Sequence, residues 1–189
     1  MFNSGLPNYV TTKNQRIFAG LGTVAKVVSN GEEVYKNKLD FDEVKKRIET
    51  CYHPYHIELK RLIDQTRDIF GFCILIDCHS MPATDQYNRH LPDIVLGDCH
   101  GRTLEPDIRK RIDNFIRSKN FTIGWNAPYS GGYITSNYGK AARPGQSLQI
   151  EINRSLYMHR PQQIDADGAA RVSALLASLL VFLDTTVKS

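Results

Sequence analysis

The apolar segment Phe72-Cys73-Ile74-Leu75-Ile76 stops at Asp77, and His79 and Ser80 follow at once. A run this short, ended by polar residues, reads as a strand buried on both faces of a parallel sheet. Sites in such sheets lie beyond the carboxyl ends of the strands, which is where Asp77, His79 and Ser80 emerge. A neutral imidazole there is a good metal ligand, and a nearby carboxylate can hold its tautomer. An isolated Asp-x-His serves equally well as a strand-end histidine that bonds a loop, so the rest of the chain has to decide.

The second chemical segment is Leu148-Gln149-Ile150-Glu151-Ile152-Asn153. Its alternation puts Leu148, Ile150 and Ile152 on one face of a strand and Gln149, Glu151 and Asn153 on the other. If this strand lies beside the His79 strand, Glu151 points toward the same cleft. A glutamate near an activated water can take its proton and later deliver it to a leaving amine. The alternation also fits the solvated side of an edge strand.

Other candidates are weaker. His53 and His56 stand three apart on a helical stretch, a spacing two metal ligands can use, but Pro54 and the neighbouring tyrosines favour packing. His90, His100 and His159 fall in loops or at strand ends. Arg89, Arg102, Arg143 and Arg154 lie in or beside loops over the expected cleft, where a guanidinium can grip a carboxylate through two bonds. Ser80 has no evident general base, so a serine-hydrolase reading is weak.

Alternating strands and helices must position these groups. Asp40 and Glu43 form a capping pair, after which Phe41, Val44, Ile48, Tyr52, Tyr55, Leu59 and Leu62 make one apolar stripe. Pro54 predicts a kink or break in that helix, and Gly71 its end. The first forty residues read as loops with one or two strands, drawn from the apolar runs Ile17–Leu21 and Val24–Val28, and residues 81–104 mostly as a loop over the site. Further expectations are a helix opening at Pro106, a strand over Phe121–Trp125, an ordered loop over 126–145 around Tyr129, Tyr133 and Tyr138, and a last helix from about Ile164 to Thr185. The pattern predicts one α/β domain over residues 1–189, a layered sandwich.

A chain of 189 residues with a net charge of +4 is long enough for one well-filled core and has no long basic block. The expectation is therefore no nucleic acid as partner, and no membrane, since Leu175–Leu183 is short and reads as a core helix. A mild basic excess suits a small acidic substrate. Four cysteines without a CxxC pair, and no leader pattern in Met1–Val10, predict a reducing, cytoplasmic setting.

Six segments together resemble one family. They are Ala19-Gly20-Leu21-Gly22-Thr23-Val24, Tyr52-His53-Pro54-Tyr55-His56, Ile76-Asp77-Cys78-His79-Ser80-Met81-Pro82 and Pro92-Asp93-Ile94-Val95-Leu96-Gly97-Asp98, with the stretches from Asn126 to Ile134 and from Gln149 to Met158. In this order they resemble the N-formylglutamate amidohydrolases (deformylases) of histidine breakdown, and more remotely the zinc carboxypeptidase superfamily. The resemblance implies a phosphorylase/hydrolase-like three-layer sandwich with a mixed, mostly parallel sheet. It also implies a zinc-dependent hydrolase that splits a small acidic N-acyl amino acid, N-formyl-L-glutamate, into formate and glutamate. On that analogy His79 matches a zinc ligand, Asp77 supports it from behind, and Glu151 is the general base and acid. Arg154, Arg89 and Asn153 are the expected substrate contacts.

The family's pattern also includes an N-terminal portion with a His-x-Gly segment and an acidic ligand, which does not match this chain. The resemblance thus implies the C-terminal portion of the family domain, N-terminally truncated. A homodimer or a complementing N-terminal chain is then the expected partner, because an opened sheet exposes an unpaired strand. Two readings stand side by side: a metal-dependent amidohydrolase, and an inactive remnant that serves as a binding or interaction module.

Overall fold

The computed structural model describes residues 20, 22–28, 31–142, 144–160 and 163–187. It divides into two compact units, Met1–Arg61 and Leu62–Ser189. Arg143, Ala19 and Leu21 lie outside the described residues, as does the start of the expected first strand.

In the first unit the described residues before Asp40 form turns with an isolated antiparallel bridge between Val27 and Glu33, where a strand over Val24–Val28 was expected. Helix α1, Phe41–Arg47, starts as its sequence predicts: Asp40 Oδ1 accepts from the Glu43 amide at 2.7 Å. Glu43 does not reach back to complete a reciprocal cap; its carboxylate takes Arg47 Nε at 2.7 Å, one turn on. The helical segment is divided just ahead of Pro54, in line with the expected break into two helices. The helix widens into a π-turn over Ile48–Tyr52 and resumes as α2, His53–Phe70. A proline lacks an N–H and crowds the carbonyl four residues back, and a wider turn just ahead of it accommodates both. Gly71, at φ +80°, closes α2 with its amide on Arg67 O at 2.7 Å, the left-handed cap that glycine adopts without strain.

The second unit is built on four strands: β1 (Cys73–Met81), β2 (Ile94–Gly97), β3 (Ile123–Trp125) and β4 (Gly145–Asn153). Their order is β1-β4-β2-β3, with β1/β4 and β2/β3 parallel and β2/β4 antiparallel. The expected mixed, mostly parallel α/β sheet is present. Helix α3 (Pro106–Ser118) and the last helix, α5 (Ala166–Val187), cover one face, and the short α4 (Tyr133–Tyr138) lies against β4 on the other. A small hairpin, β5 (Met158–Arg160) with β6 (Gln163–Ile164), leads into α5.

The core lies between the sheet and α3/α5. Leu148, Ile150 and Ile152 of β4 meet Ile94 and Leu96 of β2, Ile108, Ile112 and Ile116 of α3, and Val172, Leu175, Leu179 and Leu183 of α5. Each such side chain withdrawn from water contributes roughly 1.5–3 kcal/mol. By length and apolar composition α5 is also long enough to cross a bilayer, but here its inner stripe is this core.

One expectation is corrected. The strand buried along its length is β4, flanked on both sides, whereas β1 pairs only with β4 among the described strands and is mostly half-buried, with Cys78, His79 and Ser80 exposed. The stretch 81–104 is mostly loop, as expected, and carries one short, fully buried inner strand, Ile94–Gly97, that was not foreseen.

Candidate active site

The parallel register of β1 and β4 pairs Asp77 with Gln149, His79 with Glu151 and Met81 with Asn153. Paired residues of adjacent strands share a face, so Asp77, His79, Gln149 and Glu151 rise together on the side opposite the α3/α5 core. The alternation in 148–153 therefore does not mark a solvated edge. It separates the core face of a central strand from a polar face that is itself buried, Gln149, Glu151 and Asn153 among its residues.

Asp77 and His79 do what their spacing suggests: His79 Nε2 lies 2.9 Å from Asp77 Oδ1. In the neutral ring this bond places the proton on Nε2 and leaves Nδ1 as the acceptor nitrogen. Burial pushes the Glu151 carboxyl above the usual range, and Asp77 adds to the rise; His79, the Gln149 bond and Arg154 pull the other way. A carboxyl held up by burial beside a histidine is suited to taking a proton and giving it back. Gln149 Nε2 donates to Glu151 Oε1 at 2.9 Å.

Arg154 follows β4 directly and turns onto β1, its Nε 3.1 Å from Ser80 Oγ and an Nη 3.4 Å from Ser80 O. Its guanidinium is exposed, and its charge acts on Glu151. Tyr129 belongs to the same cluster. Burial pushes its phenol up, Glu151 pushes it further and Arg154 opposes them. Ser80 thus accepts from an arginine rather than facing a base, and gains nothing as a nucleophile. Burial likewise raises the thiols of Cys73 and Cys99, which disfavours a thiolate.

The other two expected substrate contacts are placed elsewhere or are occupied. Arg89 is 73% exposed, clasped by Asp85 at 2.6 Å and stacked over Tyr87 within its own loop. Asn153 donates to Leu91 O and Pro92 O, both at 3.2 Å, and accepts from the Ser155 amide and hydroxyl. It is a tether for the end of β4. The sequence reading missed Gln149 and Tyr129 as site residues. The strict alternation through Glu151 was the signal for the first; nothing local marks the second.

A catalytic zinc takes three protein ligands. Among the described residues no group of three or more His, Cys, Asp or Glu side chains is placed to hold an ion, and the remaining residues include none of these four types. The residues of this chain do not fit that metal site by themselves.

Residues 4–158 match the pattern of the N-formylglutamate amidohydrolase family. The chain belongs to that family. It is similar to an N-formylglutamate deformylase of Pseudomonas putida, with 29% identity over 173 residues, 87% of this chain and 65% of the relative. The crystal structure of an N-formylglutamate amidohydrolase from Ralstonia eutropha JMP134 superposes with a TM-score of 0.82 at 30% identity. That match covers 93% of this chain and 65% of the other. The chain thus spans a little under two thirds of the length of these two relatives.

Proposed function

We propose that this chain carries the base-bearing part of an amidohydrolase site that acts on N-formyl-L-glutamate, releasing formate and L-glutamate. The observation that carries the reading is the register that sets buried Glu151 beside the Asp77–His79 pair. Family membership and the activity named for the relatives supply the substrate class.

In this reading Glu151 takes a proton from a water whose oxygen bonds to the formyl carbon. As the C–N bond breaks, Glu151 returns that proton to the departing nitrogen. Hydrogen and hydroxyl of one water are thereby divided between glutamate and formate. Asp77 holds the imidazole of His79 in one orientation. Arg154, already fixed at its inner edge by Ser80, grips a substrate carboxylate with its remaining donors. A reducing compartment belongs to the same reading, since all four cysteines are free and two of them exposed.

The ligand count supports a second reading, in which the chain binds the N-acyl amino acid without hydrolysing it. Formate release from N-formyl-L-glutamate, measured with and without added zinc, separates the two. The hydrolase reading expects turnover that falls roughly 10²–10⁴-fold in Glu151→Gln. Saturable binding by calorimetry with no formate would replace it with the binding module.

A further inference from the structure

Gln149 lies between two fixed groups. Its Oε1 accepts from the Gly132 amide at 2.6 Å, and its Nε2 donates to Glu151 Oε1 at 2.9 Å. A primary amide can be turned end for end, but a backbone N–H can only donate, so the Gly132 bond settles which end faces Glu151. The carboxylate is therefore met by a donor whose orientation is set from outside the sheet.

The segment that delivers this N–H is itself held. Gly97 pairs with Gln149 across β2 and β4, and a Cβ on Gly97 would stand 2.6 Å from the Gly131 nitrogen and 2.7 Å from the Ser130 carbonyl carbon. The missing side chain lets the 130–132 backbone come down onto the sheet. The Cys99 amide bonds Ser130 O at 2.7 Å. Upstream, the fully buried Asp98 takes Asn126 Nδ2 at 2.7 Å and the Gly101 amide at 2.9 Å, while Asn126 Oδ1 accepts from the Asp98 and His100 amides. Cys99, His100, Gly101 and Asn126 all hold positive φ, a conformation that persists where surrounding bonds over-determine it.

We infer that Gln149 is a positioning residue: oriented by the Gly132 N–H, it fixes one oxygen of Glu151 and directs the other toward the reacting water. This rests on the proposed amidohydrolase reading. A donor anchored in this way spares the base a rotamer search at each turnover, so its loss acts on kcat more than on substrate affinity.

The test begins with hydrogen exchange of the Gln149 side-chain amide, followed by NMR in the parent protein and in Glu151→Ala. The expected result is a protected Nε2 proton whose exchange rises at least about ten-fold when the acceptor is removed. Exchange indifferent to Glu151 would overturn the inference, whether or not the protein turns over substrate. Steady-state kinetics then compare the parent with Gln149→Met, which keeps the shape without the donor, and Gln149→Glu, which keeps an acceptor for Gly132. A fall in kcat of roughly ten- to a hundred-fold in both, with KM nearly constant, supports positioning. A raised KM with kcat unchanged overturns it, because Gln149 would then contact substrate. A parent protein that releases no formate ends the hydrolase reading, and the exchange experiment still decides how Gln149 and Glu151 are coupled.

Discussion

His79 and Glu151 occupy paired positions on adjacent parallel strands, each on the face away from the α3/α5 core. A slip of one residue between β1 and β4 would send the imidazole to the opposite side of the sheet. The pairing is locked by what lies beneath it, since Leu148, Ile150 and Ile152 must stay in the core for Glu151 to stay out of it.

Burying Glu151 has a measurable consequence for stability. Its pKa is raised in the fold by burial above all, so between the unfolded and folded values the native state holds a proton that the unfolded chain has released. Stability from this group is full below the unfolded value and is lost as pH rises through the folded one. Glu151→Gln should therefore unfold at a higher temperature than the parent at pH 7, with the gap closing toward pH 4, while losing activity. Paired thermal melts at the two pH values check this, and a variant less stable than the parent at pH 7 would contradict it.

The two arginines predicted from sequence should separate cleanly. Arg154 stands at the end of β4 within electrostatic reach of Glu151, whereas Arg89 is occupied by Asp85. Arg154→Met should raise KM about ten-fold or more through loss of a charged contact. Arg89→Ala should leave KM within about two-fold. Initial-rate measurements on both variants, with unchanged melting temperatures as a control, decide the matter.

At Gly97 the addition of one methyl should be costly. Gly97→Ala sets a Cβ against backbone atoms of Ser130 and Gly131 rather than against a flexible side chain. Overpacking of this kind costs about 1–3 kcal/mol, and it should also lift Gly132 from Gln149. Urea denaturation gives the first quantity. Faster exchange of the Gly132 amide reports the second.

Asp98 is fully buried and paired with Arg109 at 3.2 Å, besides its bonds to Asn126 and Gly101. Removing the carboxylate leaves the Gly101 and Asn126 donors unsatisfied, at about 1–3 kcal/mol, while Arg109, partly exposed, can turn to water. Asp98→Ala should show this loss in equilibrium unfolding, and an effect below ~1 kcal/mol would mean that the 98–101 turn does not depend on its carboxylate.

Purified from zinc-containing medium and dialysed, the chain should hold well below one metal ion per molecule by mass spectrometry. This follows from the ligand set and not from the family. Stoichiometric zinc would show that donors separated in this structure come together.

Much of this was legible in the sequence because it is local. The Asp40 cap, the Gly71 stop, Pro106 at the head of a helix and the polar face of 148–153 all depend on a few neighbours. The Asp77–His79 bond is equally local. Strand β2 was missed because the apolar run Ile94-Val95-Leu96 is short and set among prolines and glycines, and only its place between β3 and β4 makes it a strand. The same limit hid Tyr129 and the part played by Gln149, whose partner Gly132 comes from a loop seventeen residues away. Arg89 was named from its place in a loop over the expected cleft, and that placement does not reveal that Asp85, four residues before it, already holds it.

The sheet order places Glu151 and His79, the pair on which the proposed activity rests, on strands held to different degrees. Glu151 rides on β4, clamped between two neighbours, while His79 rides on β1, which the described strands hold from one side. Outer strands open at lower free energy than inner ones. On gentle heating the imidazole should part from the carboxylate while the core is still intact, so the protein would fall silent before it melts.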